Sequence, residues 1–197
     1  MRFEPGYLLG MALQTIPEPR KVARDVLSLA YLPRAALWQA FALFAVLSTG
    51  LGVAATVLFP PDPMLAGSLL GDPLRMGLVE SASLVITVFL IYWVGRAFGG
   101  HGSFAQAILT VIWMQYVAVL LQFVVLVLAL FAPGLAALAA LVSVGVSFWI
   151  LSHFIAEMHG FRSAALVFAT IVVLILALAV VLSFLFALIG FGAGGLS

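Results

Sequence analysis

Three histidines, seven carboxylates and no cysteine are all that this chain of 197 residues offers for chemistry. The missing thiol excludes disulfides, thiolate metal sites, iron–sulfur clusters and cysteine nucleophiles together. The densest titratable group is His153, Glu157 and His159. His153 and Glu157 stand four apart and share a helix face, whereas His159 falls off that face unless the helix unwinds before Gly160. A metal site here needs a further ligand such as His101, and the spacing lacks the compact H-E-x-x-H form of membrane metalloproteases. The competing reading is a His/Glu pair at a membrane interface. No serine, histidine and aspartate arrangement suggests nucleophilic catalysis, so neither an enzyme nor a resident cofactor is expected.

Glu80 is the sharpest polar residue within an apolar stretch. It reads either as a proton or cation site or as a carboxylate at headgroup depth, wet or paired with Arg75. Gln115 and Gln122 lie one heptad apart and share a face. They read as interhelical glue or, with Glu80, as the lining of a polar path. The segment from Arg96 through Gly99, Gly100 and His101 to Ser103 is rich in glycine and opens a helix at Ser103. Its exposed N–H groups, with Arg96, make it a candidate site for a phospholipid headgroup or another anion; the alternative is a tight turn before a capped helix. It lacks the G-K-[ST] ending of a nucleotide P-loop.

These residues must be positioned by membrane-spanning helices. The chain is 65% hydrophobic and 8% charged, too apolar for a water-facing shell. About 20 apolar residues cross a hydrocarbon core, and five stretches meet that length, at about 35–59, 74–98, 103–131, 135–158 and 163–189. Pro60, Pro61 and Pro63, then Gly99 and Gly100, then Pro133 and Gly134, then Gly160 separate them. The expected fold is all-α, a polytopic bundle of five transmembrane helices at 35–197 behind an N-terminal segment at 1–34. Small-residue faces at Ala139, Ser143 and Ser147, and at Ala179, Ser183 and Ala187, make spans four and five candidates to pack together.

Orientation follows from the basic residues. Arg2, Arg20, Lys21, Arg24 and Arg34 precede the first span, and Arg96 and Arg162 fall in loops on the same side, leaving only Arg75 opposite. The positive-inside rule puts the N-terminus in the cytoplasm and the C-terminus outside. Within 20–32, Val22, Val26 and Leu29 recur at helical spacing among polar neighbours. This predicts an amphipathic interfacial helix, apolar side down, with Arg20, Lys21, Arg24 and Arg34 as a basic anchor toward anionic headgroups. A cleaved signal peptide is the competing idea, but Glu4 interrupts its basic region and no small-residue cleavage site follows. The upstream 7–16 is apolar but short, a second interfacial turn.

The order of Pro33 and Arg34, the run Val94 to Phe104 (VGRAFGGHGSF), Ala107, Trp113, Gln115, and the run His159 to Ser163 (HGFRS) resembles the Yip1 family of multispanning membrane proteins in its short bacterial form. The resemblance covers nearly the whole chain. It implies a non-enzymatic helical membrane protein; eukaryotic relatives act at Golgi and endoplasmic reticulum membranes and associate with Rab GTPases and with each other. Those relatives place much of their partner binding in a long cytosolic N-terminal region, and here only about 34 residues precede the first span, so Rab binding is not carried over. The resulting expectation is an accessory protein of the bacterial cytoplasmic membrane. It would bind lipids, another membrane protein or itself, and no nucleic acid. The alternative is a small transporter, channel or lipid-handling protein with a polar path at Glu80, Gln115 and Gln122.

Overall fold

The computed structural model describes residues 4–60 and 72–188. Asp62, with Pro61 and Pro63, lies outside them, as do Arg2 and Ile189. Among the described residues the elements are α1 (Pro5–Gln14), α2 (Pro19–Leu27), a 3-10 turn (Ser28–Tyr31), α3 (Arg34–Leu58), α4 (Pro73–Ala97), α5 (Phe104–Phe131), α6 (Pro133–His159) and α7 (Ala164–Leu188). The last five are long and apolar enough to cross a membrane, which makes this an integral membrane protein.

Local chemistry sets the boundaries. At the start of α4 the Asp72 carboxylate accepts from the N–H groups of Leu74 and Arg75 at 3.0 and 3.2 Å, with Pro73 preset in the first turn. Ser103 and Gln106 close a reciprocal capping box on α5. Two helices end in the same way at the same end of the bundle. Gly99 and Gly160 take positive φ of 82° and 74°. The next N–H then reaches back to a helix carbonyl, Gly100 to Gly95 at 2.9 Å and Phe161 to Ala156 at 2.8 Å. These are Schellman-type closures, which a side chain at the left-handed position would strain.

Short connections make α4 through α7 antiparallel in succession. α5 is central, packing on α3, α4 and α6, while α7 packs on α6. Beyond its first two turns α7 offers no core contact, and 173–185 is exposed throughout. Apolar exposure of that kind belongs to a lipid-facing helix. The expected seam between spans four and five does not form from the two small-residue faces. Ala179, Ser183 and Ala187 are exposed on α7, and Ser143 and Ser147 line a groove on α6 instead.

The amphipathic helix is present, but protein covers its apolar face. Val22, Ala23, Val26 and Leu27 of α2 are buried in the same core as Ile108, Ile150 and Phe154. The bundle's basic end thus supplies the surface that the sequence reading assigned to lipid. Close-packed side chains satisfy that face as acyl chains would, and add fixed hydrogen bonds.

Candidate functional site

The polar residues of the spans converge at one place. Glu80 of α4 accepts through Oε1 from Ser48 Oγ of α3 at 2.7 Å and from Gln115 Nε2 of α5 at 3.1 Å. Gln122 brings its amide within 3.5 Å of the Ser48 hydroxyl. Ser48 and Gln115 are buried and sit near the middle of α3 and α5. Glu80 thus reaches the middle turns of α3 and α5 from about two turns into α4. It is not paired with Arg75, whose guanidinium instead meets Asp72 at 3.0 Å. Ser48 escaped notice in the sequence because a lone serine in an apolar span carries no signal of its partner.

This cluster forms one wall of an open groove of about 550 Å³. α5 contributes Gln115 and Gln122, and α6 contributes Ser143 and Ser147 on the facing side. Leu121, Val125, Val144 and Leu151 make the groove largely apolar between these polar points. A volume of about 550 Å³ falls within the range of small-molecule clefts.

The glycine-rich loop closes on a side chain that arrives from α6. The His159 ring is buried and fits between Gly95, Gly100 and Gly102, where a Cβ at any of the three would overlap it or its immediate neighbour Met158. Its Nδ1 accepts from Gly102 N–H at 3.2 Å and its Nε2 lies 3.0 Å from the Ile91 carbonyl. A carbonyl only accepts, so Nε2 carries the proton and the ring is the neutral Nε2–H tautomer. Every loop N–H is thereby taken: Gly99 by Arg96, Gly100 by Gly95, His101 by His159, Gly102 by the imidazole and Ser103 by the Gln106 side chain. The first-turn N–H groups of α5 at Phe104 and Ala105 lie outside that set and remain, with the side chains of Arg96 and His101, for an anion. Arg96 leans over the Tyr92 ring at 5.9 Å.

His153, Glu157 and His159 go to separate partners. His153 Nδ1 donates to the Trp149 carbonyl at 2.8 Å, and Glu157 faces Arg24 at 3.4 Å. Among the described residues no group of three metal-ligating side chains forms.

Of the basic anchor residues, Arg20 is held by main-chain carbonyls, while Lys21, Arg24 and Arg34 stay exposed. Arg20 donates to the carbonyls of Phe161 and Arg162 at 3.2 and 2.9 Å, just past the C-terminus of α6, and Arg24 meets Glu157. Lys21 pairs with Glu18 at 2.9 Å, and its ammonium, with the Gln14 amide, holds the exposed Glu18 carboxyl below its ordinary pKa. Arg34 is exposed at the start of α3. Two tryptophans complete the clamp. Trp113 Nε1 donates to Thr15 Oγ1 at 3.1 Å, and Trp149 Nε1 to the Ile16 carbonyl at 3.1 Å.

Five apolar spans, a capped glycine loop closed on a buried histidine, and a polar groove define a multispanning helical membrane protein. The family model described as the Yip1 domain matches residues 13–185, and the chain belongs to the Yip1 family. The match includes α2, the 3-10 turn and all of α3 through α6. Comparison with curated proteins and with solved structures found no match to either.

Proposed function

We propose that this protein is a non-enzymatic accessory component of the bacterial cytoplasmic membrane, with its N-terminus in the cytoplasm, that holds a second membrane component, a lipid or another membrane protein. The observation that carries this reading is the open groove between α5 and α6, set among the spans and edged with hydrogen-bonding groups. A polar surface within the hydrocarbon region costs free energy unless something polar meets it. The basic end, by contrast, is closed over by α1 and α2, which leaves the groove as the natural contact.

Gentle extraction at native expression level, followed by mass spectrometry of co-purifying lipids and proteins, tests the proposal. The wild type should retain one component in fixed proportion, and a groove-filling Ser147→Phe variant should lose it. A wild type that leaves the membrane alone, or a variant that keeps the same companion, would remove the basis for it.

The second reading is a small transporter or channel. It is favoured by one fact: Glu80 meets Gln115 directly and Gln122 through Ser48, across three helices. Proteoliposome flux measurements decide it, since a path through the cluster requires that Glu80→Gln change the rate or the ion dependence.

A further inference from the structure

The proton inventory of the groove points to the kind of ligand it takes. Ser48 has one hydroxyl proton and gives it to Glu80 at 2.7 Å. It has none left for Gln122 at 3.5 Å, so the Gln122 amide is better turned to donate Nε2–H to Ser48 and to leave its carbonyl toward the groove. Ser143 and Ser147 give their protons to their own helix, to the carbonyls of Ala139 and Ser143 at 2.7 and 2.8 Å. Only their lone pairs remain for a ligand. Glu80 takes both of its hydrogen bonds on Oε1, and among the described residues none reaches Oε2.

The groove therefore presents a carboxylate oxygen, an amide carbonyl and two hydroxyl oxygens against the second amide N–H of Gln115 and of Gln122, so acceptors outnumber donors. The ligand that satisfies such a surface is rich in N–H donors and positively charged. A bare alkali ion needs a tight shell of oxygens, whereas here the acceptors are spread along a space of about 550 Å³ with apolar walls. We propose that the groove binds a protonated amine carried on an apolar body, the ammonium against Glu80 and the body along Leu121, Val125 and Val144. This rests on the groove being a binding site, as the accessory reading holds, and names what enters it.

Purified protein in neutral nanodiscs is titrated with dodecylamine, dodecyltrimethylammonium and dodecanol, and separately with sodium and potassium chloride against choline chloride at constant ionic strength. Binding is read from the midpoint of thermal unfolding. Dodecylamine should raise the midpoint saturably. Dodecyltrimethylammonium, which has the charge without N–H donors, and dodecanol should not. Glu80→Gln should weaken the apparent affinity by at least about tenfold, the usual scale for losing a charge-assisted hydrogen bond. The double variant Ser143→Ala, Ser147→Ala leaves Glu80 in place and should weaken it by a few-fold, so the test survives a Glu80 variant that does not fold. An equal response to dodecanol, a matching response to sodium or potassium alone, or unchanged affinity in the variants overturns the amine site. Retention of a native companion sensitive to Ser147→Phe would in that case leave the accessory reading standing. An amine effect with no native companion would do the reverse.

Discussion

His159 on α6 donates its Nε2 proton to the main-chain carbonyl of Ile91 on α4, 3.0 Å away. The ring can approach that carbonyl because Gly95, one turn further along α4, has no side chain to stand in the way. The contact ties together two helices that touch little elsewhere. It also fixes the loop between α4 and α5, since the opposite ring nitrogen holds Gly102.

This relationship makes a sign-changing prediction. In the wild type, Gly95→Ala drives a methyl into the imidazole and should destabilise the protein by about 1–3 kcal/mol, as overpacking does. In a His159→Ala background the space is open, and the same change should become neutral or stabilising by up to about 1 kcal/mol through helix propensity. Thermal unfolding midpoints of the four proteins complete the double-mutant cycle. Additive effects would mean that the ring does not occupy the glycine cradle.

The N-terminal segment should depend on one buried hydroxyl. Thr15 is fully buried, receives the Trp113 indole N–H and donates to the Met11 carbonyl at 2.8 Å. Thr15→Val keeps the shape and removes both bonds, stranding a buried indole donor at a cost of about 1–3 kcal/mol. Limited proteolysis at the basic end should then cut within α1 and α2 sooner than in the wild type, while the spans remain protected. An unchanged cleavage rate would mean that apolar packing alone holds the segment.

Arg20 and Arg24 should be unequal. Arg24 is 61% exposed and its contact with Glu157 spans 3.4 Å, so Arg24→Ala should cost no more than about 1 kcal/mol and less still at high salt. Arg20 holds two carbonyls just beyond the end of α6, where a cation also meets the negative end of the helix dipole. Arg20→Ala should cost more, about 1–2 kcal/mol. The same proteolysis assay ranks them; equal rates in the two variants would refute the inequality, and rates equal to the wild type would show that neither contact holds the segment.

What the sequence made legible was what length and period carry. Five spans follow from uninterrupted apolar runs, and their ends follow from Pro60, Gly99, Pro133 and Gly160, each within about two residues of the observed boundary. Gln115 and Gln122 shared a face as their spacing requires. Partners far apart in the chain were not legible. Ser48 differs in no local way from Ser81 or Ser83, yet those two merely bond their own helix at Gly77 and Val79, while Ser48 reaches Glu80. The glycines at 95, 100 and 102 carried no mark of the ring that lies against them, which arrives from 159. Amphipathicity in α2 revealed an apolar face without saying whether lipid or protein would cover it.

Orientation is the last expectation and can be tested cleanly, because the chain contains no cysteine. The basic residues outside the spans gather at the end that carries α1 and α2, and positive flanks are retained in the cytoplasm. Single cysteines at Tyr31 and Arg162 would mark that end, and both positions are exposed. One at Gly134 would mark the other end, where an added Cβ meets nothing within 4 Å. In intact cells a membrane-impermeant maleimide should label Gly134→Cys, and should reach Tyr31→Cys and Arg162→Cys only after the membrane is opened. The opposite pattern would invert the protein, place Arg20, Arg24 and Arg162 outside, and turn the α1–α2 clamp toward the external face. Labelling of all three in intact cells would instead imply two populations of opposite orientation, in which the charge bias is too weak to decide.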